Sequence, residues 1–281
     1  DYLHAGTGST GTGNPLDRNT VYGDLGPVGA SQASDPSVGD DDRIFGDAGI
    51  DDIYAGGGND EVHTFAGDDS IDLGDGNDLV FGGAGSDTIV GGWGADTIYV
   101  GVSKTGGGNA QDVNLVYADR LPADASAMPG RAEDHADLVY GDIGRDTIYA
   151  GVGSDRVFGL AGDDFIDAGE GHDYVDAGSL DSDPGADTVL GGPGNDTILT
   201  GGGKDLVWGA GGNDVVTLGA GDDFAAGGTG DDRIDGGAGR DVLWGGSEAI
   251  AAADFRRDDI TYFTLPAGFS AAETEHPTGF S

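Results

Sequence analysis

Aspartate is the residue type whose spacing in this 281-residue chain suggests chemistry. Carboxylates are preferred ligands of hard cations, and Ca²⁺ in particular takes six to eight oxygen atoms from carboxylates and backbone carbonyls. Aspartate also favours turns, so the same residues could be turn formers that only face solvent. A turn former need not recur at one fixed place in every unit, and we therefore favour metal ligation. Aspartate recurs at every ninth residue in three runs, which contain Asp42, Asp51, Asp60, Asp69, Asp78, Asp87 and Asp96, then Asp137, Asp146, Asp155, Asp164 and Asp173, and last Asp187, Asp196, Asp205, Asp214, Asp223, Asp232 and Asp241.

The composition excludes several classes of function. The formal net charge at pH 7 is −40, with 52 acidic residues against 12 basic ones, whereas binding to nucleic acid or to anionic lipid needs clustered Lys and Arg. There is no Cys for disulfides or thiolate metal sites, and no apolar run approaches the length of a membrane-spanning helix. The sequence contains neither an H-E-x-x-H nor a G-x-S-x-G motif, and its five histidines share no metal-ligand spacing; each is expected to fill a variable surface position. We therefore predict a protein that is not an enzyme and that does not insert into membranes.

The residues around each Asp indicate short strands. An aliphatic residue stands two positions after it, β-branched in every row except those with Ala225 and Leu243, and Gly usually stands two positions before it. Residues 82–90, GGAGSDTIV, are a clean copy of the resulting unit, G-x-x-G-x-D-x-(I/V)-x. A helix is excluded because nine residues make about 2.5 turns and would place successive aliphatic residues on opposite faces. The unit therefore predicts a six-residue turn and a three-residue strand, with two units (18 residues) per coil and the aliphatic side chain facing inward.

This unit resembles the calcium-binding nonapeptide repeat of RTX (repeats-in-toxin) proteins, over most of residues 37–246. The resemblance implies an all-β fold, a right-handed parallel β-roll (β-solenoid) with two stacked parallel sheets. In that family each Ca²⁺ lies between turns 18 residues apart and takes one Asp from each. Thirteen Asp pairs have this spacing, and Asp164 with Asp187 and Asp173 with Asp196 would join them across a five-residue insertion, so we expect roughly 13–15 ions. The turns also offer backbone carbonyls, such as those of Gly46, Gly49, Gly56, Gly58, Gly82, Gly85, Gly91, Gly94, Gly141, Gly144, Gly191 and Gly194.

Electrostatics favours a cation between the turns. Carboxylates stacked about 5 Å apart repel by about 1 kcal/mol even in bulk water, and by more in a partly dry turn. A divalent cation between successive turns reverses the sign of that interaction. Mg²⁺ is less suitable because it demands a tight octahedral geometry and retains its water ligands. We therefore expect folding to depend on Ca²⁺.

A longer repeat of about 95 residues overlies the short one. Residues 44–80 align without a gap with residues 139–175, and NTVYGD at 19–24 recurs as NLVYAD at 114–119. We expect a β-roll over residues 1–246, with loop insertions near 25–41, 118–135 and 179–184, and a C-terminal cap or the start of a secretion signal over 247–281. The same offset matches Asp1 to Asp96, so we expect the chain to be a piece of a longer protein.

Two hypotheses of function follow. In the first, the chain is a calcium-binding structural part of a secreted adhesin or surface-layer type protein, outside the cell or at the bacterial cell surface. In the second, it is the C-terminal folding and secretion module of a larger RTX toxin or extracellular enzyme. Besides calcium, the expected partners are further copies of the repeat array or an upstream domain. A catalytic motif upstream in the gene would favour the second hypothesis, and further 95-residue blocks the first.

Overall fold

The structure is a computed structural model that describes residues 2–4, 18–23, 39–102, 108–119, 135–178 and 185–246. Within these ranges the chain forms 22 β-strands and no helix, so no described segment is a helix able to cross a membrane. The strands alternate between two parallel sheets of 11 strands each, which confirms the predicted parallel β-roll. The segments 24–38, 120–134, 179–184 and 247–281 lie outside the described residues, so the predicted division into roll, loops and C-terminal region stays a prediction.

Odd-numbered strands form one sheet, called sheet A, and even-numbered strands form sheet B. Sheet A contains β1 (Tyr2–His4), β3 (Arg43–Phe45), β5 (Glu61–His63), β7 (Leu79–Phe81), β9 (Thr97–Tyr99), β11 (Leu138–Tyr140), β13 (Arg156–Phe158), β15 (Tyr174–Asp176), β17 (Thr197–Gly202), β19 (Val215–Ala220) and β21 (Arg233–Asp235). Sheet B contains β2 (Arg18–Tyr22), β4 (Ile50–Gly57), β6 (Ser70–Asp75), β8 (Thr88–Trp93), β10 (Val113–Asp119), β12 (Arg145–Tyr149), β14 (Phe165–Asp167), β16 (Thr188–Pro193), β18 (Leu206–Gly211), β20 (Phe224–Thr229) and β22 (Val242–Trp244).

The register confirms a coil of 18 residues. Ile44 lies opposite Val62, and Val62 lies opposite Val80. The irregular segments interrupt neither sheet, because β9 pairs directly with β11, and Ile98 lies opposite Val139. The predicted strand length of three residues holds for most of sheet A. Several other strands are longer, as in Ile50–Gly57, because pairing continues into the next turn, where Gly56 lies opposite Gly74.

The core is a narrow column of aliphatic side chains between the sheets. The Ile and Val residues two positions after each Asp are almost completely buried, from Ile44 to Ile234. Their neighbours along each strand point outward, as the alternation of a strand requires. This arrangement leaves the motif Asp residues at the ends of the strands, where each coil turns from one sheet to the other.

An aromatic stack runs along the outer face of sheet A. Its rings are 4.6–5.2 Å apart between centroids and within 12° of parallel, and its members are Phe45, His63, Phe81, Tyr99, Tyr140 and Phe158. The spacing matches the distance between neighbouring strands. His63, which we expected to fill a variable surface position, stacks between Phe45 and Phe81.

Candidate metal centres

The motif Asp residues form two rows, one along the strand starts of each sheet. Every one of them is buried, with at most 5% of its surface exposed. Row A contains Asp42, Asp60, Asp78, Asp96, Asp137, Asp155, Asp173, Asp196, Asp214 and Asp232. Row B contains Asn19, Asp51, Asp69, Asp87, Asn114, Asp146, Asp164, Asp187, Asp205, Asp223 and Asp241. The turns therefore stack one carboxylate per coil on each edge of the roll, except where Asn stands.

Each carboxylate is oriented by the preceding coil. Oδ1 of Asp78 accepts a hydrogen bond from the backbone N–H of Asp60 at 2.8 Å, and Oδ1 of Asp96 accepts one from the N–H of Asp78 at 2.9 Å. The contact also spans the insertion between Asp173 and Asp196, at 2.9 Å. The same bond recurs at 2.7–3.1 Å in the other Asp pairs of both rows. All 15 pairs expected from the sequence are therefore stacked, and Asp96 with Asp137 adds a further pair that the sequence spacing did not indicate.

The second carboxylate oxygen has a different environment. In much of both rows Oδ2 is buried and accepts no hydrogen bond, as in Asp78, Asp87, Asp96, Asp137, Asp155, Asp164, Asp196, Asp214, Asp223 and Asp232. Leaving a buried polar atom without a partner costs about 1–3 kcal/mol, and more for a charged group. The rows therefore present a regular series of carboxylate oxygens that the protein itself does not satisfy.

The raised pKa values of several row residues reflect the same free-energy cost of burying a charged carboxylate. Burial, with a smaller contribution from the carboxylates of neighbouring coils, raises the pKa of Asp78 to about 7, of Asp87 to about 8 and of Asp96 to about 9. Burial likewise raises the pKa of Asp155 to about 8. Because desolvation disfavours the charged form, these residues resist ionisation in a roll that holds no cation.

Glycine keeps the space beside these oxygens free of side chains. A Cβ added at Gly82 would lie 2.7 Å from Oδ2 of Asp87, and one at Gly191 would lie 2.8 Å from Oδ2 of Asp196. At Gly76, where φ is 146°, a Cβ would overlap the carbonyl oxygen of Gly58 in the preceding coil. The gap between coils is thus lined by carboxylate and carbonyl oxygens, which is the donor set of a hard cation.

The predicted carbonyl donors occupy three kinds of position in these turns. Gly46, Gly82, Gly91, Gly141 and Gly191 face an Asp Oδ2. Gly49, Gly56, Gly58, Gly144 and Gly194 direct their carbonyl oxygens at a glycine of the next coil. Gly85 and Gly94 lie opposite the carbonyl oxygens of Gly67 and Gly76. All twelve residues therefore line the gaps between coils.

Two members of row B were missed because they are Asn rather than Asp. Asn114 accepts the N–H of Asp87 through Oδ1 at 2.8 Å and donates through Nδ2 to Oδ1 of Asp146 at 2.8 Å. Asn19 donates in the same way to Oδ1 of Asp51. The signal that could have found them is the likeness of NTVY at 19–22 and NLVY at 114–117 to the DTIY that begins at Asp96 and at Asp146.

Stacked rows of buried carboxylates on a two-sheet parallel roll define a calcium-binding repeat protein. The sequence model of the RTX calcium-binding nonapeptide repeat matches residues 38–71, 63–98, 132–166, 149–181, 181–216 and 217–249, which together span more than half of the chain. The chain therefore belongs to this family, and it binds multiple Ca²⁺ ions.

A comparison with solved structures matches the crystal structure of a hyperactive, Ca²⁺-dependent, β-helical antifreeze protein from an Antarctic bacterium. The TM-score is 0.43 and the sequence identity 21%, with 83% of each chain covered. No curated protein shows a significant match to the sequence.

Proposed function

We propose that the Asp residues of rows A and B ligate Ca²⁺ between successive coils, and that the chain is an extracellular structural segment that folds when Ca²⁺ binds. The buried Oδ2 atoms without hydrogen bonds carry this proposal. A cation in each gap would satisfy them and would turn the repulsion between stacked carboxylates into attraction to a shared positive charge.

Different residues of each turn have different roles in binding the ion. The N–H of Asp60 holds Oδ1 of Asp78, so the side chain keeps one orientation and presents Oδ2 to the gap. Glycines leave room for the ion and expose carbonyl oxygens beside it, as Gly58 does next to Gly76. Because the ligands come from different coils, binding an ion also joins those coils, and the free energy of binding becomes free energy of folding.

Dependence on calcium explains how such a chain would be used. At low calcium the rows of like charges oppose folding, so the chain would stay unfolded inside the cell and could pass through a secretion channel. Outside, millimolar calcium would shift the equilibrium by mass action toward the roll. The folded roll then serves as a long, non-catalytic spacer in an adhesin or surface-layer type protein. The recurrence of a 95-residue block supports a role that depends on length.

Far-ultraviolet circular dichroism of the full chain tests the proposal. The metal-free protein should show a coil spectrum, and added Ca²⁺ should produce β-structure cooperatively. Equal concentrations of Mg²⁺ serve as the matched control and should produce much less. A β-rich spectrum that persists after complete removal of calcium would contradict the proposed switch.

A further inference from the structure

The neighbouring coils of β10 and β12 depart from the regular motif at three positions. Asn114 occupies a motif Asp position, and Asp112 stands two residues before it, where Gly is usual. Asp142 stands four residues before Asp146, where other rows have mostly Gly, such as Gly74 and Gly92. These two neighbouring coils thus lose one carboxylate in row B and gain one each beside it.

The carboxylate of Asp146 is satisfied within the protein. Its Oδ1 accepts the amide of Asn114, and its Oδ2 accepts the backbone N–H of Asp142, both at 2.8 Å. This differs from row residues such as Asp78, Asp87 and Asp96, whose Oδ2 is buried without a hydrogen bond. Asn114 and Asp146 are therefore joined by a hydrogen bond where a regular pair of carboxylates would repel.

The unsatisfied oxygen in this turn belongs to Asp142 instead. This residue is 1% exposed, and its Oδ1 accepts the N–H of Gly144 at 2.6 Å. Its Oδ2 is buried without a hydrogen bond of normal geometry, and the Asn114 amide beside the carboxylate lowers its pKa, partly offsetting the effect of burial. A Cβ added at Gly108 would overlap that Oδ2 and would lie 3.0 Å from Oδ2 of Asp112. The Oδ2 atoms of Asp142 and Asp112, from different coils, thus both lie beside Gly108, where a larger residue would not fit.

Backbone groups hold Asp112 in this orientation. Its Oδ2 accepts the N–H of Asn109 at 2.6 Å and that of Gly85 at 3.3 Å. Burial, and after it the charge of Asp112, raises the pKa of Asp142. Two carboxylates placed together, one of them buried and the other half-buried, are unfavourable unless a positive charge lies between them.

The same hydrogen bonds occur in the first block. The N–H of Asp47 donates to Oδ2 of Asp51 at 2.8 Å, that of Gly49 donates to Oδ1 of Asp47 at 2.7 Å, and Asn19 donates to Oδ1 of Asp51 at 2.8 Å. These bonds match those around Asp142, which lies 95 residues later. Asp17, the counterpart of Asp112, lies outside the described residues.

We propose that Asp112 and Asp142 form a cation site of a second kind, at the point where Asn114 interrupts row B. The carboxylate donors point to a hard divalent cation, and Ca²⁺ is the choice that rests on the proposed function. Among the described residues no group of three or more acidic or histidine side chains is placed to hold a metal ion. Asp112 and Asp142 are thus the acidic side chains that the described residues offer to this site.

Crystals of the full chain grown with Ca²⁺ and soaked with Tb³⁺ test the site directly. We expect an anomalous peak between Asp112 and Asp142 in addition to the peaks along the rows. Peaks along the rows without one between these two residues would overturn the inference. A peak here with none along the rows would overturn the proposed function and leave this site standing.

Variants give an independent count. Asp142→Gly restores the residue usual at this position, and native mass spectrometry at saturating calcium should show one ion fewer than the wild type. Asp142→Asn keeps the shape of the side chain and should show the same loss. Asp231→Asn removes an exposed carboxylate and should keep the full count. An unchanged count in a folded Asp142 variant would refute the site.

Discussion

Replacing Asp78 by Asn should change the stability of the metal-free and calcium-bound proteins in opposite directions. The pKa of Asp78 is raised to about 7 in the roll, from 3.8. At about 1.36 kcal/mol per pKa unit, keeping this carboxylate ionised at pH 8 costs the metal-free fold about 4 kcal/mol as an upper bound. Asparagine removes the charge and retains an oxygen that can accept the N–H of Asp60. The metal-free fold should therefore become more stable by up to that amount.

In the presence of calcium, Asp78→Asn should destabilise the folded protein. In the proposed scheme Asp78 serves the ions on both sides of its coil, and a neutral amide is a weaker ligand than a carboxylate. We expect the calcium midpoint of folding to rise by about tenfold or more, which corresponds to about 1.4 kcal/mol. Asp42, at the start of the regular run, serves fewer described neighbours, so Asp42→Asn should raise the midpoint less.

Two titrations followed by circular dichroism at pH 8 measure these effects. In the first, trimethylamine N-oxide is added to metal-free protein, because osmolytes favour compact states. The Asp78→Asn variant should fold at lower osmolyte concentration than the wild type. In the second, calcium is added, and the variant should need more of it. Asp231→Asn, which removes an exposed charge, is the control. If Asp78→Asn behaved like this control in both titrations, the electrostatic reasoning would be wrong.

Three further predictions concern pH, glycine and the insertions. Burial raises the folded pKa of row carboxylates such as Asp196, to about 6, and Asp96, to about 9, so their contribution to the metal-free fold is fully present below about pH 4 and is lost as pH rises through about 6–9. Dialysed metal-free protein should therefore gain β-signal as pH falls from 9 to 5, and a flat profile would contradict this. Gly76→Ala should raise the calcium midpoint of folding strongly, because its Cβ would overlap the carbonyl oxygen of Gly58. Ala95→Ser, at an exposed turn position, is the control and should not raise it. Equal midpoints for the two variants would refute the close approach of Gly76 to Gly58. Deleting residues 123–130 should leave calcium-induced folding nearly intact. Deleting residues 82–90 should impair it, because a nine-residue shift moves every later Asp to the other edge of the roll. If the first deletion impaired folding and the second did not, segment 120–134 would be a structural element.

The periodic part of the fold could be predicted from the sequence because each coil repeats the same pattern of Gly-rich turns, motif Asp residues and buried aliphatic residues. Aliphatic residues recur at every ninth position, and Ile44 and Val62 lie opposite each other in the core. Only a fold with one strand in every nine residues buries all of these side chains on the inner faces of its sheets. Asp60 and Asp78 recur at the turn positions, so their stacking follows from the coil length alone. Nothing beyond the period was needed to expect rows of carboxylates on a parallel roll.

The irregular turns were decided by tertiary structure. Which residue stacks on Asp146 depends on how an irregular segment is accommodated, and the answer is Asn114, 32 residues earlier. The partnership of Asp112 with Asp142 and the place of His63 in the aromatic stack likewise depend on neighbours in other coils. A regular period determines which coils are neighbours only where it is unbroken. Where residues are inserted, hydrogen bonding and packing between the strands on either side select the register, and a linear pattern does not contain those contacts.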